Sequence, residues 1–143
     1  MSSRREAREM ALQFLYQYDT NPGDLEESIK SFWELQKPAK KRNAFAEELV
    51  RGAIERGEAV DTKIKAYAKN WKFNRIALVD RNILRLAIYE LLFRDDIPPV
   101  VSINEALELA KKYSTGDSSR FINGILDRVK EDLHRPLRVA IKK

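Results

Sequence analysis

Cysteine is absent from the 143 residues, so disulfides, thiolate metal sites and cysteine nucleophiles are excluded. There is a single histidine, His134, near a helix end, where it reads as a solvated cation beside the C-terminal carbonyls. No glycine-rich phosphate loop and no HExxH spacing occurs. The acids, such as Glu26-Glu27 and Glu47-Glu48, fall on exposed helical faces instead of converging as acid–base chemistry requires. An enzyme is therefore not expected, and neither is a cofactor or a metal. No apolar run approaches the ~18 residues that span a bilayer, and the N-terminus lacks a signal-type apolar region. A cytoplasmic protein with no membrane partner is the expectation. Alternating apolar patterns of strand length are also missing, which leaves an all-α fold.

What is present suits one helical domain over residues 1–143. A 43% hydrophobic content supplies a core, and 34% charged residues supply a highly charged surface. At this length roughly two-thirds of the unfolded surface is buried on folding. The centre of the pattern is Asp80 to Phe93, DRNILRLAIYELLF. Its apolar residues leave a narrow polar seam at Arg81, Asn82, Arg85 and Tyr89, so neighbours must cover it on several sides. Asp80 is expected to cap its start, and Pro98-Pro99 prevents continuation past its end.

The other elements follow in order. From Ser3 to Asp19, Ala7, Met10, Ala11, Phe14, Leu15 and Tyr18 share one helical face, while Arg5, Arg8, Leu12 and Tyr16 share another with Arg4 beside them. Breakers at 20–24 lead to a short helix over 25–36 and a basic connection over 37–42. One long helix, capped by Asn43, is expected to carry a stripe from Phe45 to Trp71, with a kink or a close crossing at Gly57. The boundary between halves then falls near residues 70–78. Ser102 and Glu105 have capping-box spacing, and Asp117 is placed to cap a last helix running to about His134. Phe121 lies at the edge of that helix's apolar face, next to Arg120. The tail over 135–143, with Arg135, Arg138, Lys142 and Lys143 and no acid, is expected to be mobile.

The net charge of +5 matters for partners only where it is clustered. Cations in a first helical turn oppose the helix dipole, so another role should justify Arg4, Arg5 and Arg8. Together with Tyr16 they suit gripping phosphates and stacking a base of single-stranded RNA, against the plainer reading of solvated arginines. A helix-turn-helix DNA binder is the rival class, but the last helix keeps apolar residues where a polar recognition helix is needed.

Three segments in this order, AREMALQFLYQYD, VDRNILRLAIYELLFRDDIPPVVSINEALELAKKY and GDSSRFINGILDRV, resemble the NusB family of transcription antitermination factors. The resemblance covers nearly the whole chain and is weakest over 25–41 and after Leu133. A related helical domain opens some ribosomal RNA cytosine methyltransferases, and this chain ends where their catalytic domain would begin, which favours the non-enzymatic version. The resemblance implies about seven helices in two packed subdomains, about 1–72 and 73–143. It also implies binding of boxA RNA of ribosomal operon leaders jointly with the ribosomal protein NusE, in an RNA polymerase elongation complex with NusA and NusG. By position it assigns RNA contacts to Arg4, Arg5, Arg8 and Tyr16, and to the segment holding Asp117, Ser118, Arg120, Phe121 and Asn123. Asp80 and Arg81 fall in its NusE-facing region. Glu6 interrupts the arginine run where some members carry another basic residue.

Overall fold

A computed structural model describes residues 3–36 and 39–141. Its α-helices are α1 (Ser3–Thr20), α2 (Leu25–Glu34), α3 (Lys40–Glu55), α4 (Gly57–Tyr67), α5 (Leu78–Phe93), α6 (Pro99–Tyr113) and α7 (Gly116–Glu131), with one 3-10 turn at Phe73–Arg75. No strand occurs among the described residues. The fold is all-α, as the periodicity requires.

Helix α5 is the axis of the molecule and packs against α1, α3, α4, α6 and α7. Ile83, Leu84, Leu86, Ala87, Ile88 and Leu91 are all buried along it. Its polar seam is answered by neighbours. Arg85 donates to Asp19 at 2.7 Å and to Asp61 at 2.8 Å, tying α1 and α4 to the axis. A Cβ at Gly52 would overlap the Tyr89 ring, so glycine is what lets α3 approach α5. The close crossing is therefore at Gly52 and not at Gly57, where a Cβ meets open space.

Several expected helix ends move. The stripe from Phe45 to Trp71 is divided between α3 and α4 at Arg56, and Trp71 lies beyond both. Asn43 is inside α3, its amide already bonded to Ala39 O, so it is not the cap. Ala77 precedes α5, which leaves Asp80 within the first turn. Helix α6 begins at Pro99, whose missing N–H costs nothing in a first turn, so Ser102 and Glu105 are interior positions and not a capping box. Thr115 caps α7 by accepting from Ser118 N, which leaves Asp117 in the first turn. Asp80 and Ser102 sit two and three positions inside their helices, where their side chains bond neighbouring elements, whereas Asp117 and Asn43 pair with Arg120 and Arg42 of their own helices.

The tail is anchored as far as it is described. Val100 N donates to Leu137 O and Ile141 N to Asp95 O. Arg135 is nearly buried and donates to Leu91 O at 3.0 Å, near the end of α5, and to Ile97 O at 2.9 Å in the connection that follows. Lys142 and Lys143 lie outside the described residues, as do Lys37 and Pro38 of the basic connection; Lys40, Lys41 and Arg42 form the first turn of α3.

Candidate nucleic-acid interface

The arginines at the start of α1 divide into three environments. Arg4 is exposed, with its guanidinium 4.3 Å from the centre of the Phe45 ring. Arg5 forks onto Glu105 of α6 at 3.1 and 2.7 Å. That pairing raises the guanidinium's pKa and holds the Glu105 carboxyl below the usual carboxylate range. Arg8 points inward and is only 3% exposed. It donates to Glu90 at 3.0 and 2.8 Å, and the Ser102 hydroxyl donates to the same carboxylate at 2.8 Å. The expectation that Arg8 shares an outward face with Arg5 is thus corrected, because α1 is covered by both α3 and α5 and buries Leu12 as well. Glu90 was not foreseen as buried; its signal is the arginine at an otherwise apolar position of α1.

Tyr16 is 43% exposed. By helical spacing it continues the outer face of α1 that carries Arg5 and Glu9. Glu9 accepts from Lys112 at 2.7 Å and from the Tyr113 hydroxyl at 3.0 Å. Helix α6 thus meets Arg5 near its middle and Glu9 near its end, and Ser114 beyond that end donates to Asp80 at 2.5 Å. Its 15 residues span roughly 22 Å. Helix α6 and the turn after it link the start of α1, through Arg5, to Asp80 beside the start of α7.

A second cluster forms where α7 begins. Asp80 is only 4% exposed and accepts hydroxyl hydrogen bonds from Ser114 and from Ser118, the latter at 2.6 Å. It therefore fastens α5 to the α6–α7 turn from inside. Arg81 also turns inward, its guanidinium 5.0 Å from the Phe73 ring centre and 3.9 Å from Asp19. Asp117 and Arg120 are exposed and paired with each other. Phe121 is half-buried and meets Trp71 edge-on, with ring centres 5.6 Å apart. A cleft of about 260 Å³ is bounded by Trp71, Arg75, Asp80, Asp117, Ser118 and Phe121. Asn123 is exposed, but two residues past Phe121 it turns to the opposite flank of α7 and does not join this cleft.

Among the described residues no group of His, Asp or Glu side chains is arranged to hold a metal ion. Nor, among those residues, is any helix long and apolar enough to cross a membrane. The family model for NusB matches residues 5–131. The chain belongs to the NusB family. A curated relative, the transcription antitermination protein NusB of Methylacidiphilum infernorum, is 48% identical over 136 residues, covering 94% of this chain and 95% of that protein. Among solved structures, T. maritima NusB is 40% identical with a TM-score of 0.82, covering 92% of this chain and 93% of that one. A crystal structure of antitermination factors NusB and NusE in complex with double-stranded RNA matches at 28% identity and TM-score 0.83, covering 93% and 99%. The exposed basic and aromatic side chains described above lie within the matched span, apart from Arg4 just ahead of it.

Proposed function

We propose that this protein is a cytoplasmic transcription antitermination factor that binds boxA RNA of ribosomal operon leaders together with the ribosomal protein NusE. In this reading it acts within the RNA polymerase elongation complex alongside NusA and NusG, and it carries out no catalysis. The observation that carries the reading is membership of the NusB family combined with a solved relative in complex with NusE and RNA.

The geometry supports a division of labour. Arg4, over Phe45 of α3, and Arg5, beside the middle of α6, offer phosphate contacts, with Tyr16 further along α1. Ser118, Phe121 and Asp117 form the α7 end, and Arg120 lies at its rim. Arg8, Asp80 and Arg81 contribute by holding the surface in place, since their charged groups face inward. Asn123 is placed for a contact on the other flank of α7. The free protein holds few unpaired cations here, so it is expected to bind RNA weakly and with strong salt dependence.

The test is transcription in vitro through a terminator placed after boxA, with NusA, NusG and NusE present. Adding this protein should increase read-through, and scrambling boxA should abolish the increase. Unchanged termination with intact boxA would overturn the proposal.

A further inference from the structure

The stretch from Thr62 to Val79, TKIKAYAKNWKFNRIALV, contains Lys63, Lys65, Lys69, Lys72 and Arg75 and no acid. Aromatic residues alternate with its cations, and the part from Lys69 to Arg75 forms the connection between α4 and α5. Phe73 is the anchor of this connection. Its ring lies 5.0 Å from the Lys65 ammonium and 5.0 Å from the Arg81 guanidinium. Trp71 is not an anchor: it is 58% exposed, and among the described residues its aromatic partner is Phe121.

A large indole left in water needs a reason, and its surroundings give one. Trp71 and Phe121 stand at 66° to one another on the wall of the 260 Å³ cleft. The Asp117 carboxylate on the same wall can accept from an amino or imino group. Arg75 lines the cleft, Lys69 shares an adjoining hollow with Trp71, and exposed Lys72 follows Trp71 in sequence, so the indole stands beside positive charge. Arg75 has no side-chain hydrogen bond or ion pair among the described residues. Aromatic platforms rimmed by cations hold unstacked bases of single-stranded nucleic acid, because every base has a π-face and its phosphates seek the cations. An apolar peptide side chain would fill the cleft without using either the cations or Asp117.

From this we infer that the Trp71–Phe121 cleft takes one unstacked RNA base, with Trp71 as the stacking platform and Lys72 and Arg75 on the flanking phosphates. This rests on the RNA-binding reading above and adds to it a site built by the α4–α5 connection.

Trp71 supplies its own probe. The chain has two tryptophans, so Trp33→Phe leaves Trp71 as the sole indole. Titrating that variant, with NusE present, with single-stranded boxA RNA should quench its fluorescence in step with binding measured by anisotropy of labelled RNA. Trp71→Ala should weaken the RNA by roughly 5- to 150-fold, leave the salt slope unchanged and leave the melting temperature near that of the parent. Trp71→Phe should keep most of the affinity. If the parent binds boxA RNA while Trp71 fluorescence is unmoved and Trp71→Ala binds equally well, the base site is overturned and the RNA reading stands. If neither the parent nor its mixture with NusE binds the RNA, both fall together.

Discussion

Removing Arg8 should unfold the protein more readily long before it touches RNA binding. Arg8 and Glu90 have side chains only 4% and 2% exposed, and the guanidinium meets the carboxylate through two short hydrogen bonds. Arg8→Ala leaves Glu90 with the Ser102 hydroxyl and a remote path to solvent. An uncompensated buried charge of this kind costs about 3–5 kcal/mol. At ~2.1 cal/mol/K of unfolding entropy per residue, that corresponds to roughly 10–17 °C in melting temperature for a chain of this length. Replacing both partners, as in Arg8→Met with Glu90→Leu, should recover most of the loss, because the desolvation cost of the pair disappears with the pair. Urea denaturation at neutral pH measures all three proteins. Where Arg8→Ala remains folded, its RNA salt slope should match the parent's, whereas Arg4→Ala should lower the slope by about one. An unchanged denaturation midpoint together with a reduced salt slope for Arg8→Ala would refute the buried-pair reasoning.

Other outcomes follow from the same contacts. Glu105→Gln removes a carboxylate that competes with phosphate for Arg5, so RNA affinity should rise up to about 5-fold, the scale of a part-exposed ion pair; an affinity that falls would contradict this. Because Arg5 depresses the Glu105 pKa below 4.5, the stabilisation is present above that pH and fades as the pH falls through the depressed value. Parent and variant should therefore converge in stability in acid, as denaturation at neutral and acidic pH would reveal. Asp80→Asn should cost about 1–3 kcal/mol by weakening two buried hydroxyl hydrogen bonds, and a double-mutant cycle with Ser118→Ala should show coupling; strict additivity would separate the two residues. Phe121→Ala, half-buried, should lose about half of the 3–5 kcal/mol of a full core phenylalanine and also weaken RNA; a full core cost with RNA affinity intact would return Phe121 to the core.

The apolar periodicity carried most of the fold. It located the helical segments, because a stripe at helical spacing must be buried wherever it falls, and the largely apolar Asp80–Phe93 stretch had to be covered on several sides. Gly57 marked the place where the stripe from Phe45 to Trp71 bends, but the spacing continues across it, so a kink was expected there and not a division into α3 and α4. Cap positions were misjudged for one repeated reason. Asp80, Ser102 and Asp117 have the chemistry of caps, but Asp80 and Ser102 spend it on neighbouring helices and Asp117 on Arg120. At the candidate interface, local spacing put Phe121 correctly at the rim of α7. It did not separate exposed Arg4 from buried Arg8, because that depends on Glu90, 82 residues away. Nor did it bring Trp71 to Phe121, although the acid-free run from Thr62 to Val79 was there to be read.

The central claim is that RNA recognition belongs to a joint surface made with NusE. It is tested most directly by titrating labelled boxA RNA with this protein alone, with NusE alone and with both, each against a scrambled RNA and a duplex competitor. The protein alone should bind weakly and with strong salt sensitivity, and the mixture more tightly and selectively for boxA. Equal affinity of the mixture for boxA and scrambled RNA would contradict it.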